Sequence, residues 1–301
     1  LVRRNRDGHL ETATGSVAVS HVDAVERKPL FHFRPGSRVL TVAAPGCTFR
    51  CTYCVNHRLS QYGREATSPW TGRPTDPADL VARTLAEKAA IGMSYSEPAL
   101  APELTLELAR LTEPHGIPIV WKSNGFLTPQ AVDLVAPVLS AVNIDVKAAT
   151  DSDHRQLTGA PLGPVLDAVE RFRMAGVWVE VSTPLIPGTA DTSDKLSAIA
   201  GRIAAVSPDI PWHLMRFTPD HHMVSATPSS PAALAEAVAI GKSAGLHFVY
   251  VERALGPAGR RTDCPHCATH LVQRDIWALH DNLLIDGTCP ACGLAVPGVW
   301  R

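Results

Sequence analysis

No stretch of this 301-residue chain stays apolar for the roughly 18–20 residues that a membrane span needs, and 25 Pro and 21 Gly interrupt it throughout. Nor does one sign of charge dominate. With 28 Lys and Arg against 29 Asp and Glu the net charge is −1, so the basic footprint of a nucleic-acid binder is missing. No internal repeat, low-complexity tract or segment with the makeup of a secretory signal is read in it. These absences predict a cytoplasmic chain of one large domain with room for a small appendage, with neither nucleic acid nor membrane among its partners. At this length enough apolar surface is buried without a disulfide framework, and seven cysteines, an odd number, do not pair off.

Those cysteines fall into two groups with none left over. Cys47, Cys51 and Cys54 form a C-x3-C-x2-C run, and Cys264, Cys267, Cys289 and Cys292 form two C-x2-C knuckles. Three thiolates on one short loop can hold three irons of a cubane cluster and leave the fourth iron open. An open coordination position is where a metal binds substrate or cofactor, as in catalytic zinc sites. Four thiolates in two knuckles instead close a tetrahedral shell, the pattern of a structural zinc ribbon. A second iron–sulfur cluster or a rubredoxin-like iron is the rival for those four. The stretch between the knuckles, 268–288, has the length for short hairpins that depend on the metal.

Strand-like and helix-like patterns alternate along the rest. Strands are expected at 15–22, 38–44, 90–94, 117–122, 141–146, 177–183, 212–217 and 246–251. Helices are expected at 77–88, 102–113, 129–139, 162–175, 192–205 and 231–244, several opening with Pro in the first turn. Such alternation implies a parallel sheet, as a closed or partial barrel or as a doubly wound sheet. Alternation places Asn143, Asp145 and Lys147 on one face of their strand, and Glu180 and Ser182 on one face of the next. Polar residues there fit a barrel interior that holds a ligand at the strand ends, or equally a buried Asp–Lys pair.

Several blocks together resemble the radical SAM (S-adenosylmethionine) superfamily: KPLFHFRPGSRVL, GCTFRCTYCVN, SYSEP, SNGFLTPQAV, NIDVKA, VWVEVSTPLIPG and PWHLMRFTPDHHM, ending in CPHCATHLV and DGTCPACGLAVPGVW. With its terminal knuckles the whole chain is similar to the radical SAM component of the AmmeMemoRadiSam system, related to pyruvate formate-lyase activating enzymes. The resemblance implies a partial (β/α)6 TIM-type barrel with a C-terminal zinc-ribbon module, divided as an extension (1–36), the barrel (37–256) and the ribbon (257–301). It implies a [4Fe–4S] cluster on Cys47, Cys51 and Cys54, with zinc on the four later cysteines.

For S-adenosylmethionine it implies binding by Tyr53, Glu97, Ser123, Asn124, Asp145, Lys147, Ser182 and His213. Glu97 matches the acid of a Gly-Gly-Glu-Pro motif whose glycines are here Tyr95 and Ser96. Lys122 stands where some relatives have a second acid around a monovalent cation, and its ammonium is expected to replace that cation. Arg216 and Asp220 are expected on the substrate side. Relatives carry a further cysteine-rich segment ahead of the stretch that here begins at Val2, so further chain upstream is implied.

The activity implied is reductive cleavage of S-adenosylmethionine to a 5′-deoxyadenosyl radical, which removes hydrogen from a small molecule, peptide or protein. A one-electron donor such as flavodoxin or ferredoxin would feed it. Two other readings compete: an activase that installs a glycyl radical on a partner enzyme, and a non-enzymatic iron–sulfur or zinc binding module. The resemblance assigns no substrate and no catalytic side chain.

Overall fold

The computed structural model describes residues 2–13, 15–64 and 72–301. Its centre is an eight-stranded sheet of β1 (Val19–Ala24), β2 (Arg38–Ala43), β3 (Ala90–Met93), β4 (Ile119–Ser123), β5 (Ala141–Asp145), β6 (Trp178–Pro184), β7 (Trp212–Met215) and β8 (Val249–Val251). β2 to β8 run parallel, while β1 pairs antiparallel with β2 at one edge. Spatial order follows sequence order without reversal. A doubly wound sheet reverses direction midway and a barrel does not, so the sheet is a partial barrel, left open between β1 and β8.

Among the described residues between β2 and β8, besides a single helical turn at His57–Ser60, six helices connect the strands: α1 (Pro77–Glu87), α2 (Pro102–Thr112), α3 (Pro129–Val135), α5 (Gly163–Met174), α6 (Ser193–Val206) and α7 (Pro231–Ser243). An additional helix, α4 (Asp151–Thr158), follows β5. Local chemistry starts these helices where expected. The side chains of Asp76, Thr128 and Ser230 accept backbone N–H bonds from Ala78, Ala131 and Ala233, each with a Pro in the first turn. The helices pack on the face of the sheet that carries Val42, Ile91, Trp121, Val142, Val181 and Leu214, forming the main core.

The other face looks inward. Its lower half is filled by the chain's own segment 25–33, with Val25, Leu30 and Phe33 packed on Val39, Ala90, Val120, Ala141 and Trp178. Gly92 of β3 faces the same crowded space, since a Cβ there would lie 2.5 Å from Val39 Cγ1. Beyond β8, β9 (Thr262–Asp263), β10 (His270–Arg274) and β11 (Leu279–Asn282) make a small antiparallel sheet that carries the cysteine knuckles.

This is the expected architecture, with shifts at element ends. The run expected at 117–122 begins two residues later, and the one at 246–251 shortens to Val249–Val251. The helix expected at 129–139 closes at Val135 and tightens into a 3-10 turn, Ala136–Val138, around Pro137. The N-terminal hairpin of Arg3–Arg6 and His9–Thr12 and helix α4 were not expected. The signal for α4 was present: Thr150 caps it through Asp153 N–H, and Gly159 ends it at φ +80°.

Candidate functional site

The three-cysteine loop leaves β2 at its C-terminal end, where barrel enzymes place their chemistry. Gly46 turns the chain with φ +98°, and a Cβ there would meet Val2 Cγ2 at 2.2 Å, so only glycine fits. Gly46 N–H donates to the Leu59 carbonyl at 3.0 Å, and its own carbonyl accepts from Glu97 N–H at 3.0 Å. The unexpected helix α4 does work here. Its last carbonyls, Leu157 and Thr158, would otherwise lack partners, and they accept from Thr52 N–H (3.2 Å) and Arg50 N–H (2.7 Å).

Cys51 is buried and its two neighbours half-buried. Phe49 N–H and the Asn124 side-chain amide each donate to Cys47 Sγ at 3.4 Å, and Ser60 Oγ lies 3.3 Å from Cys54 Sγ. Burial pushes the Cys51 thiol up to about 12, with the Lys147 ammonium pulling the other way. Binding of a metal there must therefore displace a firmly held proton. Among the described residues, only the four later cysteines bring three or more ligand atoms within 4.8 Å of one another. The loop thiols do not converge on a single ion, and such a spread suits separate irons of one cluster.

Next to the loop, Glu97 joins two strand ends. Its carboxylate accepts from Ser123 Oγ (2.8 Å), Asn124 N–H (2.8 Å) and Ala99 N–H (3.0 Å), so it caps the Pro98–Leu100 turn as well as tying β3 to β4. Burial raises Glu97 above its usual range, and those donors oppose the rise. Asn124 makes an Asx turn through Phe126 N–H (2.9 Å), while its amide reaches Thr48 Oγ1 (2.8 Å) and Cys47. Tyr95 keeps a glycine-like backbone at φ +69°.

At the end of β5, Asp145 accepts from both Lys122 and Lys147, the latter at 2.7 Å. Lys147 also donates to Tyr53 OH at 3.1 Å, and Lys122 to Asn143 Oδ1 at 2.6 Å. Burial alone would raise Asp145, but the two ammonium groups outweigh it and hold the carboxyl down to about 2. Burial lowers Lys122 despite its aspartate partner, whereas for Lys147 the pull of Asp145, Tyr53 and Cys51 outweighs burial and lifts it well above its usual value. The buried Asp–Lys pair is thus present, with a second lysine on the same carboxylate.

Ser182 extends this network through Asn143, whereas His213 belongs to a different one. Ser182 Oγ donates to Asn143 Oδ1 at 2.8 Å. His213 Nε2 lies 2.6 Å from Glu180 Oε2, leaving its Nδ1 buried without a hydrogen-bond partner. Glu180 also accepts from Phe31 N–H (3.0 Å), His32 N–H (2.8 Å) and Trp178 Nε1 (2.9 Å). Glu180, read from alternation as facing a ligand, instead holds the segment that fills the barrel. Burial would raise it, but His213, His32 and Trp178 keep it below its ordinary range.

A cavity of about 600 Å³ opens at the mouth, lined by His21, Val55, His57, Tyr95 and Asp220 among others, a size that suits a small molecule. Behind the lining residues His21 and Tyr95, Asp23 accepts from Lys28 (2.9 Å) and Tyr95 OH (3.2 Å) and lies 2.7 Å from His21 Nε2. Of these residues only Asp220 was expected on the substrate side. His21 and Asp23 share a face of β1, and that period-two spacing was the available signal.

In the ribbon, Cys264 and Cys292 Sγ lie 3.6 Å apart, as do Cys267 and Cys289 Sγ. A disulfide is near 2.05 Å, whereas tetrahedral zinc–thiolate bonds of about 2.3 Å place sulfurs roughly 3.8 Å apart. The four cysteines therefore fit one metal ion.

A family model described as the Radical SAM superfamily matches residues 41–196. The chain is 30% identical over 296 residues to an uncharacterised protein of Methanocaldococcus jannaschii, covering 97% of this chain and 87% of that one. It is 25% identical over 170 residues to the pyruvate formate-lyase 1-activating enzyme of Escherichia coli, covering 54% of this chain and 66% of that one. In fold it is similar to a radical SAM methyltransferase from Sphaerobacter thermophilus, at TM-score 0.56 and 19% identity, covering 73% of this chain and 67% of the other.

The chain belongs to the radical SAM superfamily. It is an enzyme of that type, similar to the pyruvate formate-lyase activases, and membership implies an iron–sulfur cluster and S-adenosylmethionine. No helix among the described residues is long and apolar enough to cross a membrane.

Proposed function

We propose that this chain cleaves S-adenosylmethionine reductively at a [4Fe–4S] cluster held by Cys47, Cys51 and Cys54, and uses the product to remove hydrogen from an organic substrate. The observation that carries this reading is the junction at Asn124. One residue touches Cys47 and Thr48 through its amide and Glu97 through its backbone. Cysteine loop and strand-end carboxylate are thereby locked side by side.

When bound, the reduced cluster supplies one electron to the sulfonium, which yields methionine and a 5′-deoxyadenosyl radical. The chain's own residues bind and orient. Glu97 takes three donors, and a carboxylate has about four acceptor positions, so one remains for the ammonium of the methionyl group. Lys122, Asp145 and Lys147 together carry one net positive charge, which complements the methionyl carboxylate. In this reading Lys122 does the work of a bound cation. Tyr53, Ser123, Ser182 and His213 serve the nucleoside side, His213 through its unpartnered Nδ1. The barrel keeps water and stray hydrogen donors from the radical.

The electron donor in this account is a flavodoxin or ferredoxin, and the ribbon metal is zinc, for which metal analysis showing one zinc and no additional iron is the test. The three-part division at residues 36/37 and 256/257 belongs to the same reading. Electron paramagnetic resonance tests it directly: added S-adenosylmethionine shifts the spectrum of the reduced cluster, and an unchanged spectrum contradicts the proposal. A second reading, installation of a glycyl radical on a partner enzyme, is favoured by the similarity to pyruvate formate-lyase and isethionate sulfite-lyase activating enzymes. A glycyl radical signal formed on a candidate partner would select it.

A further inference from the structure

The chain as a whole is slightly acidic, yet its charge is not evenly spread. Residues 47–64, which contain the three-cysteine loop, include Arg50, Arg58 and Arg64 and no Asp or Glu. Arg50 stands between two of the cysteines, Cys47 and Cys51, and its side chain is exposed. Among the described residues it makes no ion pair. Its backbone is pinned by Thr158, so the guanidinium projects from a fixed base. Arg64, also exposed, bonds the Phe49 carbonyl of the same loop at 3.0 Å. Burial first, and then the nearby Arg50 charge, push Arg64 below its usual value, while Cys47 pulls it up. Arg64 is thereby anchored on the loop residue directly before Arg50. The neighbouring Arg155 is matched by Asp151 at 2.6 Å and adds little net charge.

A cation such as Arg50, without an ion pair among the described residues and beside a redox centre, attracts a partner by steering rather than by tight binding. A small, charged contact is what a transient electron-transfer encounter uses. We propose that Arg50, with Arg64, forms the docking face for an acidic one-electron carrier protein, which delivers its electron across the Cys47–Cys54 loop. The inference rests on the reading under "Proposed function". The step is a single electron transfer: the carrier is oxidised by one electron, the cluster goes from its 2+ to its 1+ state, and no bond forms or breaks.

The test compares two reductants of opposite charge on the cluster-loaded, full chain by stopped-flow bleaching of cluster absorbance. One is a fully reduced acidic flavodoxin, the other the methyl viologen radical cation. Arg50→Glu is the variant, because among the described residues that side chain has no ion pair to lose. With flavodoxin at low salt, the second-order rate constant falls about tenfold, and the gap closes near 0.5 M salt as the charges are screened. With the viologen cation the rate is equal or faster. Equal slowing with both reductants would mean that Arg50 acts on the cluster itself, and it would overturn the docking proposal. So would an unchanged flavodoxin rate. If neither reductant bleaches the parent protein, the radical SAM reading of this loop fails and this inference goes with it.

Discussion

At Asp145 one carboxylate serves two ammonium groups, and the balance of burial against charge decides its ionisation. Its depressed value of about 2 means that the ion pairs stabilise the fold at neutral pH. The sign follows from linkage: the contribution is fully present above the unfolded-state value near 4 and is lost as pH falls through about 2. Carboxyl carbon NMR on metal-free protein should show Asp145 still ionised at pH 3, and Lys122→Met should raise its midpoint by about one unit. An ordinary titration near pH 4 in the parent would contradict this. Asn124→Ala removes an N–H donor from Cys47 Sγ. Fewer hydrogen bonds to cluster sulfur lower its potential, so redox titration should find the variant harder to reduce. The two cysteine groups, and the placement of Glu97, Asn124, Asp145 and Lys147 at or just beyond strand ends, were legible because they sit in short sequence blocks. The commitment of Glu180 was not legible, since its partners Phe31 and His32 lie about 150 residues away in sequence.

Between elements, the ribbon and the barrel are joined through the segment that closes the barrel. Arg274 of β10 donates to the Phe31 carbonyl at 3.1 Å, and Val299 N–H to the His32 carbonyl at 2.7 Å. Burial lowers His32 to about 4 despite the pull of Glu180, so its ring is neutral. Its Nδ1–H then donates to the Pro297 carbonyl (2.7 Å), and its Nε2 accepts from Tyr250 OH (2.6 Å). These bonds clamp residues 31–33 between β6 and the ribbon. Stripping the ribbon metal with a chelator, or Cys267→Ser, should therefore speed hydrogen exchange at the Phe31 and His32 amides while β3 and β4 stay protected. Unchanged exchange at those two amides would separate the ribbon from the barrel. The strands and helices of the barrel could be read from periodicity and proline starts. The clamp could not, because KPLFHF has no periodic signature and acquires its role only when the ribbon, more than 200 residues later, folds onto it.

Across the whole molecule, one end of the barrel is filled by protein and the other is left polar and open. The N-terminal half of the interior holds Leu30 and Phe33 under the sheet, and the C-terminal rim gathers the cysteine loop, Glu97 and the Lys122–Asp145–Lys147 triad. Sequential strand order and uniform helix placement produce that polarity. The most direct measurement is product analysis under strict exclusion of oxygen. Protein reconstituted with iron and sulfide is mixed with S-adenosylmethionine and dithionite, and the products are quantified by mass spectrometry. The account predicts 5′-deoxyadenosine and methionine in equal amounts, and neither from Cys51→Ala. Intact S-adenosylmethionine after incubation with fully loaded, reduced protein would contradict it.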